Sequence, residues 1–250
     1  MSEISVCIPL HDPRELHYDF LQEALESISI QTLYPKEVLI AGSYKPTYLD
    51  KLLETFNKFF PVKFIKNKST STSSNLNLLV PYSSGSIVKI LFQDDFLISN
   101  TALEITNHIF LETNTIWAAC MSRNYNNQNG EYTRNVNPKF RNKLAKGINS
   151  IGSPSVVSFK KNYYLPFNEN LVWMLDCEWY LQMQHRFGNP YIIKNFQIAN
   201  RLHQYQATHN AKVNQGSELI IVNNLHLKSK TSNSFFSNKY RCVCLRNYHE

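Results

Sequence analysis

The sequence predicts an α/β fold built around a mainly parallel central sheet, and three observations carry that expectation. Short β-branched runs alternate with segments whose apolar residues recur at helical spacing. The runs end in proline, glycine or polar clusters, as buried strands do. With 250 residues, 43% of them hydrophobic and 18% charged, the chain is long and apolar enough to bury one large core. Strand and helix alternating at this length imply βαβ units with right-handed crossovers, and ligands in such sheets lie beyond the carboxyl ends of the strands.

Taken in order, "ISVCIP", Ile4 to Pro9, reads as a buried first strand, followed by the polar loop "LHDPREL". Between Phe20 and Thr32, Leu21, Ala24, Leu25 and Ile28 fall on one helical face, and Pro35 closes the segment. "EVLIA" is a second strand ending at Gly42-Ser43. A helix around Tyr48 to Phe60, a strand in "VKFIK", a Ser/Thr/Asn loop, a short helix and the strand "IVKILF" follow. The loops after Pro9, Ala41, Lys66 and Phe92 therefore open on one edge, and the last holds Asp94 and Asp95 ahead of a helix starting near Ser99. Beyond Arg123 the pattern loosens. Asn129-Gly130 in "NYNNQNGEY" is a hairpin signal, "IGSPSVVSFKK" opens a second region, a helix spans Cys177 to Phe187, "YIIKNFQIA" is strand-like, and a last amphipathic segment lies after Lys212.

Composition narrows the function classes. Five cysteines, Cys7, Cys120, Cys177, Cys242 and Cys244, show no CxxC spacing, so neither a disulfide framework nor a zinc site is expected. No stretch has the length of an apolar membrane span and the amino end lacks a signal-peptide pattern, so a cytoplasmic protein is expected, with contact at the inner membrane face left open. The net charge of +7 is unevenly spread: residues 1–125 carry 10 Lys/Arg against 13 Asp/Glu, and residues 126–250 carry 16 against 6. The second half suits a diphosphate, an anionic membrane surface or plain solvation. The basic run "RNVNPKFRNKLAKG" lacks interleaved aromatics on one element, so nucleic acid is not an expected partner.

Adjacent carboxylates repel unless a cation, a helix end or water compensates them. At a strand tip, Asp94 and Asp95 suit Mg²⁺ or Mn²⁺, which take one or two protein carboxylates and complete their shell with phosphate oxygens. The same pair also reads as carboxylates favouring the amino end of the next helix. Asp176, just ahead of the helix from Cys177, reads as an ordinary N-cap.

The surrounding pattern resembles the nucleotide-sugar glycosyltransferases of the GT-A fold, family 2. The resemblance runs from "ISVCIPLHD" and "FLQEALESISIQTLYPKEVLIAGS" through "SSNLNLLVPYSSGSIVKILFQDDFL" to "IGSPSVVSFKK", "WMLDCEWYLQM" and "RLHQYQATH", and fades after Lys212. It implies a GT-A (Rossmann-like) three-layer α/β sandwich over residues 1–212, with 213–250 a helical or irregular tail packed on it. It also implies an inverting transfer of a sugar from a nucleotide-diphosphate donor to a hydroxyl acceptor, glycan or lipid-linked, in cell-surface polysaccharide synthesis.

Residue by residue, the resemblance places Pro9 and His11 at the base and ribose, Asn75 and Asn77 in a donor-site segment, and Asp94 near the ribose and metal. Asp95 matches the last carboxylate of a DxD-type motif and would bind Mg²⁺ or Mn²⁺. His203 would be a further metal ligand or phosphate contact, with Arg201 adding positive charge and Gln206 a polar neighbour; His209 is expected to be solvated. Asp176 falls at the catalytic base, with Glu178 ranked second, and "IGSPS" lies beside acceptor and donor sugar. Two departures stand out. "AGSYKP" lacks the carboxylate that many relatives place after the second strand, which leaves the base open among UDP, GDP and dTDP, and Phe92 stands where a full DxD has its first Asp. The alternative is a catalytically silent relative that binds a nucleotide sugar or supports a partner enzyme.

Overall fold

The computed structural model describes residues 2–12, 14, 15, 17–204, 206 and 215–231; His209, Cys242 and Cys244 lie outside the described residues. Among the described residues nine strands form one sheet in the order β3-β2-β1-β4-β8-β6-β9-β5, with β7 paired to β6. Its first half is the expected parallel one: β1 (Ile4–Pro9), β2 (Glu37–Gly42), β3 (Val62–Lys66) and β4 (Ile87–Ile90). β1, β2 and β4 are buried at every position, the burial that a sheet covered on both faces demands of Val- and Ile-rich runs. The intervening helices are α1 (Tyr18–Ser29), α2 (Leu49–Phe56) and α3 (Thr72–Tyr82). Ser71 caps α3 by accepting from the Ser74 N–H.

The second half was less visible in the sequence. The chain turns at Asp94-Asp95 into a two-residue strand, β5 (Phe96–Leu97), so the next helix, α4 (Ala102–Glu112), begins later than expected. The ten-residue strand β6 (Trp117–Asn126) forms a hairpin with β7 (Glu131–Val136), whose turn uses Gly130 at φ 72°. β8 (Val157–Lys160) runs antiparallel to both β4 and β6, while β9 (Tyr191–Leu202) runs parallel to β6. Most paired residues thus lie in parallel ladders, and the sheet as a whole is mixed.

This topology sets the position of the site. Two antiparallel steps, β4 to β8 and β8 to β6, return β6 and β9 to the direction of β4. The carboxyl ends of β1, β2, β4 and β9, and the residues leading into β8, therefore share one edge. Helix α5 (Leu175–Phe187) precedes β9 and must run away from that edge, which brings its amino end to it. The far end confirms the direction: Trp117, at the start of β6, donates its indole N–H to the Gly188 carbonyl just past α5, at 2.9 Å. A last helix, α6 (Gln215–Thr231), packs Val222 and Leu219 against the core. Among the described residues no helix is long and apolar enough to cross a membrane, and Cys7, Cys120 and Cys177 are free and buried.

Candidate active site

At that edge the loops are fastened to one another by side chains. After β1, the His11 N–H donates to Gln93 Oε1 at 2.6 Å and the His11 carbonyl accepts from Gln93 Nε2 at 3.2 Å, joining the first loop to the aspartate loop. Asp12 is buried and accepts from the Tyr48 hydroxyl at 2.6 Å and the His17 N–H at 3.0 Å. Glu15, at φ 55°, accepts from the Tyr44 hydroxyl and from the hydroxyl and N–H of Thr47. The Thr47 bonds hold its carboxyl below the usual range. The loop after β2 thus contributes hydroxyls that are tied to carboxylates of the loop after β1.

The two aspartates have different surroundings. Asp94 keeps a quarter of its side chain exposed, and its Oδ2 lies 3.0 Å from His203 Nε2. Asp95 is buried: Oδ1 accepts from the Arg201 N–H at 3.1 Å and Oδ2 from the Ser153 hydroxyl at 3.1 Å. Burial pushes the Asp95 carboxyl upward, Asp94 adds to the effect, and the hydroxyls of Ser155 and Ser153 with the Arg201 N–H oppose it. Below it lies Lys89, 1% exposed, whose ammonium donates to the Ser155 carbonyl and is pushed downward by burial.

Arg201 is not where the resemblance implied. Rather than presenting charge to a donor, Arg201 is 2% exposed and each nitrogen of its guanidinium makes a hydrogen bond. Nε donates to the Asp94 carbonyl at 2.8 Å, one terminal nitrogen to Asn127 Oδ1 at 2.6 Å and the other to Glu23, with Phe20 stacked at 4.5 Å. It is the hub that holds the aspartate loop. Asn77 is likewise spent elsewhere. Its amide donates to the Phe167 carbonyl and Glu169 and accepts from the Phe167 N–H and the Tyr164 hydroxyl, which uses its full hydrogen-bonding capacity to hold residues 164–169. Asn75 is 1% exposed beneath the first loop, donating to the Leu10 carbonyl at 3.5 Å and accepting from Asn67 at 2.8 Å. Pro9 ends β1 and is buried. Gln206 donates to the Arg201 carbonyl at 2.7 Å, closing the turn that carries His203.

Asp176 occupies the first turn of α5 and stays partly exposed. Oδ1 accepts from the Cys177 N–H and Oδ2 from Asn149 Nδ2, both at 2.6 Å, while burial pushes its pKa up to about 6. Asn149 is a residue that sequence reasoning missed. Its Oδ1 accepts from the N–H groups of Ile151 and Gly152, shaping the "IGSPS" turn, and the Tyr180 hydroxyl donates to the Gly152 carbonyl at 3.0 Å. Residues 149–153 therefore bridge the two carboxylate centres, touching Asp176 at one end and Asp95 at the other. An Asn three residues ahead of a Gly is the pattern that announces such a turn.

Glu218 was also missed. From the first turn of α6 its buried carboxylate accepts from the N–H groups of Val172 at 3.1 Å, Trp173 at 2.9 Å and Met174 at 2.8 Å, directly ahead of α5. The α5 N-cap, Met174, makes no side-chain capping bond, and Glu218 instead holds the N–H of Met174 and of the two residues before it, fixing the chain where it enters the helix. Glu218 is the one carboxylate between Glu178 and Glu250. Glu178 is buried, with Oε1 accepting from Gln182 and Oε2 without a partner among the described residues, and burial pushes its pKa up to about 7.

Among the described residues no cluster of three or more His, Cys, Asp or Glu side chains is arranged to hold a metal. A carboxylate and an imidazole 3.0 Å apart at a partly exposed edge fit a divalent ion that completes its shell with phosphate oxygens and water.

The fold is a mixed α/β one around a mostly parallel sheet. No family model and no curated protein matches the chain. Solved structures share the fold. TarS 1–349 of S. aureus is 14% identical with a TM-score of 0.63, over 80% of this chain and 60% of that one. Its complex with UDP-GlcNAc gives a TM-score of 0.63 at 13% identity over 84% and 61% of the two chains. The mannosyltransferase PcManGT of Pyrobaculum calidifontis, in complex with GDP-Man and Mn²⁺, is 12% identical with a TM-score of 0.58, over 83% and 59%. The chain thus spans about 60% of the length of the structures it resembles.

Proposed function

We propose that the chain is an inverting glycosyltransferase that moves a sugar from a nucleotide-diphosphate donor to a hydroxyl acceptor on a cell-surface glycan, free or lipid-linked. The observation that carries this reading is the network from Asp94 and His203 through Asp95 and Ser153 to Asn149 and Asp176, on the strand edge where such sheets bind ligands. The shared fold with TarS and PcManGT, solved with UDP-GlcNAc and with GDP-Man and Mn²⁺, supports it.

In this reading Asp94 and His203 hold Mg²⁺ or Mn²⁺, because theirs are the side chains that meet at the rim. Asp95, which the motif alone would make the ligand, instead fixes the loop and the adjoining strand end. When bound there, the ion supplies positive charge against the departing diphosphate. Asp176 takes the acceptor hydroxyl proton as that oxygen bonds to the anomeric carbon and the bond to the diphosphate breaks, the electron pair leaving with the diphosphate. A carboxyl with a pKa near 6 is a better proton acceptor than an ordinary aspartate and is still ionised at neutral pH. In this reading the nucleoside would lie beside His11 and the loop that carries Tyr44 and Thr47.

Thermal shift with UDP, GDP and dTDP, with and without Mn²⁺, tests the donor site. Stabilisation by one nucleotide that requires Mn²⁺ and is lost in Asp94→Ala is expected. No stabilisation by any of the three would overturn the reading.

A further inference from the structure

The segment from Arg134 to Gly147 has no role in the network above, yet it is built with care. Arg134, Lys139, Arg141, Lys143 and Lys146 are all exposed. Among the described residues none of them forms a salt bridge, and Glu131 is the one acid between residues 127 and 168. Like charges crowded on a short segment repel one another, which a solvated surface ordinarily relieves with interspersed carboxylates or mobility.

Here the backbone is pinned instead. Leu144 is completely buried and Phe140 packs on the core. Gly147, at φ 72°, lies flat against Trp173, whose ring would stand 2.5 Å from any Cβ at that position. The Lys139 N–H donates to the Ser150 carbonyl at 2.8 Å, and the Ser150 hydroxyl returns a bond to the Lys139 carbonyl at 2.6 Å. The next residue is Asn149, whose side chain donates to Asp176. The cationic segment therefore ends on the hydrogen-bond partner of the proposed base.

We infer that this segment is a docking track for the acceptor, and that the acceptor is a polyanion: a soluble chain carrying phosphate or carboxylate groups along its length. The inference rests on the glycosyltransferase reading for the word acceptor, and on charge and placement for the polyanion. A chain whose hydroxyl reaches Asp176 leaves the site past residues 139–149, where each anionic group meets an exposed lysine or arginine carried on a pinned backbone. A backbone that is already ordered adds little to the entropy cost of binding. A lipid surface is the weaker match, because the cations lead to the side chain of the proposed base rather than lying on a face remote from it.

The test compares the wild type with Lys139→Gln/Arg141→Gln/Lys143→Gln/Lys146→Gln, measuring direct binding to poly(glycerol phosphate), polygalacturonate, neutral dextran and phosphatidylglycerol vesicles. Binding to at least one of the two anionic polymers, weakened by salt and about tenfold or more weaker in the variant, is expected, with dextran not bound. The two polymers separate phosphate from carboxylate chemistry. Equal binding by the variant, no polymer binding, or binding to vesicles alone would overturn the inference. Nucleotide stabilisation of the variant, measured alongside, should match the wild type. If nucleotides fail to bind both proteins while the polymer result holds, it is the glycosyltransferase reading that falls, not the polyanion site.

Discussion

Glu218→Ala should loosen the amino end of α5 and, with it, Asp176. The substitution strips acceptors from three N–H groups in unequal settings. Met174 is buried, Trp173 is half-buried and Val172 is 51% exposed. An orphaned buried donor costs about 1–3 kcal/mol, and the two wetter ones recover much of their loss by hydration. Removing a carboxylate from a helix amino end adds about 0.3–1 kcal/mol. The sum is about 3 kcal/mol, which for a domain of this size lowers Tm by roughly 6–12 °C. Differential scanning calorimetry of the wild type, Glu218→Ala and Glu218→Gln is the assay, with Gln intermediate because it keeps one acceptor oxygen. A Tm for Glu218→Ala within about 1 °C of the wild type would refute the argument that α6 caps α5.

Other expectations concern buried charge. Burial raises the pKa of Glu178 in the folded state above its unfolded value, so ionising it costs stability that is absent below pH ~4.5 and fully felt above about 7. Glu178→Gln should therefore stabilise by up to ~3 kcal/mol at pH 8 and by little at pH 4.5; urea midpoints that shift equally at both pH values would contradict this. Arg201→Ala should destabilise by about 2–4 kcal/mol, since it removes a buried cation from Glu23, Asn127 and the Asp94 carbonyl and leaves a void beside Phe20. Arg201→Lys should recover only part of that, because one ammonium cannot replace the fork. A urea midpoint unchanged in Arg201→Ala would remove the hub. Gly147→Ala should cost about 1–3 kcal/mol from left-handed strain and the Trp173 ring, read as a fall in Tm.

The parallel half of the sheet was legible because a strand buried on both faces must be written in uninterrupted Val, Ile and Leu, and β1, β2 and β4 are. The strand β6 was not, because its outer residues, "SRNYN", pair with the exposed strand β7 and carry no apolar signature. The motif reading singled out Asp94, Asp176 and His203 and gave the metal to Asp95 rather than to Asp94, a choice the sequence decides poorly because adjacent residues differ only in which way the fold turns them. For Arg201 the sequence displays a charge and hides its burial. Asn77 illustrates the same limit: an asparagine within a helix looks available until the segment it holds, ninety residues later, is packed against it. Glu218 acts across 44 residues on a helix whose own cap is missing, and such an acceptor is invisible until both helices are docked.

The most direct test of the central claim is release of UDP or GDP from UDP-GlcNAc or GDP-Man in Mn²⁺, with water as acceptor, by the wild type and Asp176→Asn, alongside Kd for the donor. The account predicts that Asp176→Asn binds the donor with unchanged Kd and releases nucleotide at least about a hundredfold more slowly. It also predicts that the wild-type rate falls as pH drops through about 6, where Asp176 takes up its proton. Undiminished release by Asp176→Asn, with the same pH profile, would contradict it.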